Sequence, residues 1–381
     1  MSRETVFDRY KDPSAARYLL DRVKELAEDL KNGGDPIKVM EVCGTHTVQL
    51  SKTGIRSALE GAVRFVSGPG CPVCVTDQRT IDDMISLARL PGVIVCTFGD
   101  MMKVPGTYTS LYEERARGAD VRIIYSPMDA LQIAREVPQR PVVFLGVGFE
   151  TTAPAVALAL KSALQHKIRN FYLFPAHKLV PPAMRALLED SDVEVSAYIL
   201  PGHVSTILGK RAFDFVSSDY GYPSAIAGFE PVDILLALFS ILNVMRAGAA
   251  PKPGVINCYP RAVTDDGNVR AKALMSECFK PVDALWRGLG LIPESGLGLK
   301  GEYSRFDARE YFDFPRFSGD HCDGRTGAPP LSAGCMCGYI LKGKITPVEC
   351  PLFSTACTPE TPVGPCMVSG EGACAAYYYD R

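Results

Sequence analysis

Residues 142–165 read VVFLGVGFETTAPAVALALKSALQ. The first six, Val142–Val147, are apolar without alternation, the pattern of a strand buried on both faces within a parallel sheet. Gly148 breaks the run, and from Ala153 to Gln165 apolar residues return at helical spacing, so the segment reads as strand, glycine turn and helix. The same unit recurs outward in both directions. Strands are expected at Val39–Cys43, Val63–Val66, Val93–Phe98, Val121–Tyr125, Phe171–Phe174, Val195–Leu200 and Ser224–Ala227. Helical stretches at Asp77–Leu90, Met128–Val137, Pro182–Leu188 and Pro231–Arg246 lie between them. That βαβ rhythm predicts an α/β protein with parallel sheet. Eight strands suit one closed barrel or two doubly wound domains, and the pattern favours neither. Ahead of this series, Asp12-Pro13 reads as an N-cap with proline in the first turn of a helix that Gly33-Gly34 closes. After Pro251 the rhythm fails.

The unusual residues collect where these strands end. Glu41-Val-Cys-Gly-Thr-His46, Gly68-Pro-Gly-Cys-Pro-Val-Cys74, Phe98-Gly-Asp100, Gly148-Phe-Glu-Thr-Thr152, Pro175-Ala-His177 and Pro201-Gly-His-Val-Ser205 each follow a strand. Ligands of α/β proteins bind at the carboxyl ends of strands, in barrels and open sheets alike. Cys43, His46, Cys71, Cys74, Asp100, Glu150, His177 and His203 are therefore expected to face one cleft. A thiol at a helix start meets the positive end of the helix dipole, which predicts a lowered pKa for Cys43, and Cys43 with His46 suits a soft or borderline metal. Cys71 and Cys74 form a Cys-x-x-Cys between strand and helix, a redox dithiol or half of a zinc site. Glu150 suits a general base, a partner for a histidine, or a helix-terminal carboxylate. His177 precedes Lys178, so a surface position is the alternative to its place in the cleft; His166 reads as a surface residue and Cys96 as core. Cys258, Cys278 and Cys322 have no partners at telling spacings.

Six of the 13 cysteines lie between Cys335 and Cys374, and four fit Cys-x14-Cys-x6-Cys-x16-Cys: Cys335, Cys350, Cys357 and Cys374. Cys337 and Cys366 are surplus to that spacing. The start, MSRETVFDRY, is no secretory signal, and the longest apolar run, Val232–Val244, is interrupted by Asp233 and too short to span a bilayer. The expected compartment is the cytoplasm, where thiols stay reduced, so the cluster reads as a metal centre rather than a set of disulfides. Wide loops between thiols suit iron–sulfur better than zinc. A net charge of −2 with no basic stripe argues against nucleic acid, and no Walker A or dinucleotide fingerprint is present.

Taken in order, the motifs CGTH at 43–46, GPGCPVC at 68–74, GFETT at 148–152, PGHVS at 201–205 and the four-cysteine spacing, with CTPETPVGPCMVSGEGACAAYY from Cys357 onward, resemble the HypD family of [NiFe]-hydrogenase maturation factors. The resemblance spans nearly the whole chain. It implies two similar doubly wound domains around a cleft plus a cysteine-rich iron–sulfur region, and resolves the barrel alternative. The expected division is an N-terminal helical segment 1–35, domain I at 36–126, domain II at 127–250 and a cluster region at 251–381. It implies a scaffold on which an Fe(CN)2CO group is assembled with a HypC-type small chaperone, cyanide arriving from a HypE-type donor. The implied iron ligand is Cys43, with His46 beside it. The implied dithiol is Cys71/Cys74, the implied [4Fe–4S] ligands are Cys335, Cys350, Cys357 and Cys374, and Glu150 and His203 are cleft groups. The rival expectations are an iron–sulfur thiol/disulfide reductase and a zinc-stabilised interaction protein.

Overall fold

The computed structural model describes residues 8–248, 254–315 and 331–380; Cys322 lies outside them. Eleven strands are present among the described residues: β1 (Ile37–Glu41), β2 (Val63–Ser67), β3 (Ile94–Thr97), β4 (Asp120–Ile123), β5 (Val142–Gly146), β6 (Phe171–Pro175), β7 (Ala197–Leu200), β8 (Ser224–Ile226), β9 (Ile256–Asn257), β10 (Phe279–Trp286) and β11 (Gly290–Leu299). The first eight fall on the eight apolar runs of the sequence.

These strands form two parallel sheets and one hairpin. The first sheet has the order β2-β1-β7-β8-β9, the second β4-β3-β5-β6, and β10 pairs with β11 antiparallel. Numbered within itself, each sheet begins 2-1-3-4, so both are doubly wound and each reverses direction between its first and third strands. The two domains are thus similar, but they do not divide at 126/127. β1 and β2 leave their sheet incomplete until β7 returns to pair with β1 (Val39 opposite Ala197), and the whole second sheet is built in between. The expected boundary is corrected accordingly, and so is that at 250, because β9 extends the first sheet. Apolar runs reveal strands but not which neighbour each will choose.

Helix Pro13–Lys31 is capped by Asp12, whose carboxylate accepts from Ser14 N at 2.9 Å. It is not a separate segment: Val23, Leu26 and Ala27 pack with Val39, Ile199 and Leu238 of helix Pro231–Arg246 on one face of the first sheet. Helices Pro127–Glu136, Ala153–Gln165 and Val269–Cys278 share a core with one face of the second sheet. The remaining faces of both sheets, the hairpin and the C-terminal cysteines share a third core that runs between the domains. No helix among the described residues is long and apolar enough to cross a membrane.

The hairpin escapes sequence reading because Pro281, Pro293, Gly296 and Gly298 interrupt it and its register shifts between Val282 and Ala284. It matters for position: β11 pairs with the stretch after β6, with Leu179 N donating to Ser295 O at 2.8 Å and Leu297 N to His177 O at 3.3 Å. Phe144 in β5 is fully buried and meets Phe98 edge-on at 5.4 Å. Phe144→Ala should cost about 3–5 kcal/mol of unfolding free energy by denaturant titration; a loss below about 1 kcal/mol would mean this core re-forms around the void.

Candidate functional site

Both reversal points carry the residues singled out above. In the first sheet, β1 ends at Glu41 and Cys43 stands at the N-cap of helix Gly44–Lys52, while His203 follows the neighbouring strand β7. The Cys43 Sγ lies 3.9 Å from His203 Nδ1. The imidazole against the thiol is therefore that of His203. His46 is fully buried and its Nε2 faces Gly228 O at 3.0 Å and Ala227 O at 3.3 Å, leaving Nδ1 as the free nitrogen, without a partner among the described residues. Phe229 stacks between the two histidines, 4.7 Å from His46 and 4.0 Å from His203. Burial holds His46 down to about 4 and lowers His203 as well.

The helix start does not give Cys43 a lowered pKa. Burial, and then the Glu371 carboxylate, push its thiol up to about 11, against the smaller opposing effect of hydrogen bonds from Thr45 and His46. The expectation considered the dipole alone; a thiol 6 % exposed loses more by desolvation than the dipole returns. A bound cation would reverse that balance by stabilising the thiolate.

Glu371 had no place in the sequence reading. Its Oε1 accepts from Thr45 Oγ1 at 2.7 Å, and two residues earlier Ser369 Oγ donates to Asp100 Oδ2 at 2.9 Å. The stretch 369–371 thus crosses the cleft and touches the carboxyl ends of β1 and β3. Gly44 makes the crossing possible, because a Cβ there would collide with the main chain of Glu371. The only clue in the sequence was a carboxylate set between two glycines just ahead of Cys374.

Cys71 and Cys74 are joined in a disulfide, both buried, at the end of β2 beside β1. Cys74 N donates to Cys71 Sγ at 3.2 Å, and Cys74 Sγ lies 3.9 Å from Pro365 O. The next residue, Cys366, has its Sγ 2.6 Å from that of Cys337. The two thiols surplus to the four-cysteine spacing are therefore each other's partners. Contacts from Cys335 and Cys366 lower the Cys337 thiol. All six C-terminal cysteines, Cys335, Cys337, Cys350, Cys357, Cys366 and Cys374, line one tight, largely apolar cavity of about 10 Å³. Gly364 stands on its wall where a Cβ would strike Cys335 Sγ. Among the described residues no three or more His, Cys, Asp or Glu side chains are drawn together at metal-holding spacing; the cysteines converge on the cavity without closing on a centre. An all-sulfur donor set in an apolar enclosure fits thiolate-bound iron in its chemistry, and would suit a hard cation poorly.

At the second sheet, Glu150 does not cap its own helix. Its Oε1 accepts from Val180 N at 2.9 Å, the start of helix Val180–Glu189, and Oε2 has no partner among the described residues. His177, read as a cleft residue with a surface position as the alternative, is 2 % exposed, packed over the end of β5 where Gly146 and Gly148 leave room for its ring. His166 is exposed as expected, and Cys96 is core.

The architecture defines a class: a two-domain α/β protein whose strand ends gather a thiol–imidazole pair, a dithiol and a cysteine-lined cavity. Residues 14–381 match the family model described as HypD, hydrogenase formation hypA family. The chain is 41% identical over 371 residues to the hydrogenase maturation factor HypD of Rhodobacter capsulatus, covering 97% of this chain and 96% of that one. It is 43% identical over 377 residues to the HypD of Escherichia coli, covering 98% and 97%, and 41% identical over 378 residues to that of Azotobacter vinelandii, covering 97% and 95%. The chain belongs to the HypD family of hydrogenase maturation factors.

Burial lifts the Glu150 carboxyl to about 7. The folded chain keeps a proton that the unfolded chain has lost, so this group's contribution to stability falls as pH rises from 4.5 to about 7. Glu150→Gln should therefore gain on the order of 3 kcal/mol relative to the parent between about pH 4 and about pH 8. Denaturant titrations at both pH values check this; an equal difference at the two would mean the carboxylate is solvated.

Proposed function

We propose that this chain is the scaffold and redox component on which the Fe(CN)2CO group of [NiFe]-hydrogenases is assembled, holding the iron together with a HypC-type small chaperone and receiving cyanide from a HypE-type donor. The observation that carries the reading is the contiguity of three thiol systems. Cys43 lies at the end of β1, Cys71/Cys74 at the end of the adjacent β2, and Cys74 touches the backbone next to Cys366, whose partner Cys337 shares the cavity with the four spaced cysteines. The iron is cargo. Cys43 is its anchor on this chain, a partner thiolate completes the hold, and soft, electron-rich thiolates favour cyanide and carbon monoxide as further ligands. His203, facing that thiol, is suited to take its proton as the metal enters; Glu371 adds negative charge beside it.

Cyanide carried as a protein thiocyanate must be reduced to be released. The donor's S–CN bond breaks, the Cys71–Cys74 S–S bond forms, and the two thiols supply two electrons. The products are the donor thiol, cyanide and one proton, and atoms and charge balance. The structure holds this pair in its oxidised form. Restoring it consumes two electrons and two protons from an external reductant. Cys335, Cys350, Cys357 and Cys374 would hold a [4Fe–4S] cluster, which when bound supplies one-electron chemistry. The adjacency of a disulfide to that cavity also supports a second reading, an iron–sulfur thiol/disulfide reductase acting on a protein disulfide.

Infrared spectra of the anaerobically purified complex, co-expressed with the other maturation factors, separate the two. Bands of metal-bound cyanide and carbon monoxide should be present and should vanish with the mononuclear iron in Cys43→Ala; iron retained at the parental level in that variant would remove Cys43 as anchor. Cys71→Ser should keep the iron but lose the cyanide bands. A cluster signal without either set of bands, with the small partner demonstrably bound, would favour the reductase. Cys350→Ala should lose acid-labile sulfide; zinc in place of iron and sulfide would defeat the cluster assignment.

A further inference from the structure

His203 supplies the imidazole that meets Cys43, yet little in its own position fixes the ring. It lies in the first turn of the short helix Gly202–Leu208 and is exposed. Among the described residues the ring makes one polar contact, Nδ1 to Cys43 Sγ at 3.9 Å. A sulfur contact of that length is weak, and an exposed side chain with no firmer hold changes rotamer within nanoseconds. The ring's other neighbour is Phe229, stacked on it at 4.0 Å with 26° between the planes. Phe229 itself stands on a turn that is fixed on both sides. Before it, Ala227 O and Gly228 O face His46 Nε2 at 3.3 and 3.0 Å. After it, Glu230 N donates to Asp233 Oδ2 at 3.1 Å, and buried Asp233 is gripped by Arg261 at 2.6 and 2.5 Å. The phenyl ring also stacks on His46 at 4.7 Å and meets Tyr259 edge-on at 6.1 Å. Gly202, just ahead of His203, allows the approach, because a Cβ there would strike Ala227 O and crowd the Phe229 ring.

We propose that Phe229 is a positioning residue, holding the His203 imidazole by its stack so that Nδ1 stays turned to the Cys43 thiol. Phe229 is only half-buried, so filling the interior does not account for a phenyl ring at this place. Of the two stacked rings, the phenyl is the braced member and the imidazole the loose one. A stack of this kind biases one rotamer over another by roughly two- to tenfold. Between an uncharged thiol and an uncharged imidazole, Nδ1 is the acceptor and the ring proton sits on Nε2. His46 acts at one remove, bracing the turn and the phenyl ring rather than facing the thiol. The consequence for iron rests on the reading of Cys43 as its anchor; the geometry of the rings does not.

Nuclear magnetic resonance of the full chain with nitrogen-labelled histidine reads that geometry. The two-bond proton–nitrogen pattern of His203, assigned by its loss in His203→Gln, should show one fixed tautomer, protonated on Nε2, in the parent and in Phe229→Tyr. Phe229→Leu should give an averaged pattern, and the parental pattern persisting there would overturn the proposal. Should Phe229→Leu not fold, the parent alone decides: cross-relaxation between the Phe229 and His203 ring protons is expected, and its absence overturns the proposal. In the complex purified with the other maturation factors, Phe229→Leu should carry roughly two- to tenfold less mononuclear iron at an unchanged melting temperature, with Phe229→Tyr at the parental level. Parental iron in Phe229→Leu, or a loss that Phe229→Tyr shares, would also overturn it. Iron retained in Cys43→Ala would instead remove the anchor reading and leave the resonance measurement to decide the role of Phe229.

Discussion

Everything in the cleft depends on how closely the C-terminal segment approaches the turn after β1. The main chain at Glu371 lies where a side chain at position 44 would be, and Thr45 fixes the carboxylate once the segment is in place. Three residues on, Cys374 lies in the first turn of helix Ala373–Tyr378, whose Tyr377 hydroxyl meets Arg56, with the guanidinium 4.1 Å above the same ring. Arg56 in turn lies 3.6 Å from buried Glu41 at the end of β1. The segment is thus held from below by an aromatic and ionic contact and from above by a hydrogen bond. Between those points it contributes a thiol to the cysteine-lined cavity. A disturbance at either end is felt at the other, because so short a stretch has no slack to absorb it.

The two sheets contribute unequally to the chemistry although they share an order of strands. The first sheet carries the thiols and the stacked histidines. The second carries polar groups whose partners are incomplete among the described residues, Glu150 with one oxygen unpaired and His177 with both nitrogens idle; buried Lys178 lies beside them. Burial sets the direction of pKa in Cys43, His46 and His203 on the first sheet and in Glu150, His177 and Lys178 on the second. It favours the uncharged thiol, the uncharged imidazole and the uncharged carboxyl alike. Apart from the Glu371 carboxylate, these buried groups of the cleft are uncharged, and a metal ion arriving there meets groups whose charge states are still open to change.

Much of this was legible beforehand. Eight strands could be read because each is a short run dominated by apolar residues, and the motif residues could be assigned to one edge because parallel sheets gather their turns there. The pairing of strands was not legible: Val39 and Ala197 are as apolar as any other candidates, and nothing local in 63–67 says that the chain will leave the sheet at that point. The hairpin was hidden by its prolines and glycines. His177 looked solvated because a lysine follows it, yet that lysine is buried too. Cys43 was given the wrong direction of pKa because the dipole of its helix can be inferred from sequence and its burial cannot. Glu371 and the pairing of Cys337 with Cys366 depend on a fold-back that brings position 371 against position 45.

The placing of the second sheet inside the first also bears on synthesis. β1 and β2 leave the ribosome early as an unfinished pair, with the long edge of β1 open until β7 arrives. The entire second sheet, β3 to β6, emerges in the interval and can close on itself using strands that are contiguous in the chain. That order hides the unfinished edge late, and it shortens the effective loop between β2 and β7 from a long flexible tether to the span across a folded body, reducing the entropy lost when the first sheet closes. The six C-terminal cysteines come last of all, so they meet Cys43 and the Cys71/Cys74 pair only after both supporting sheets exist.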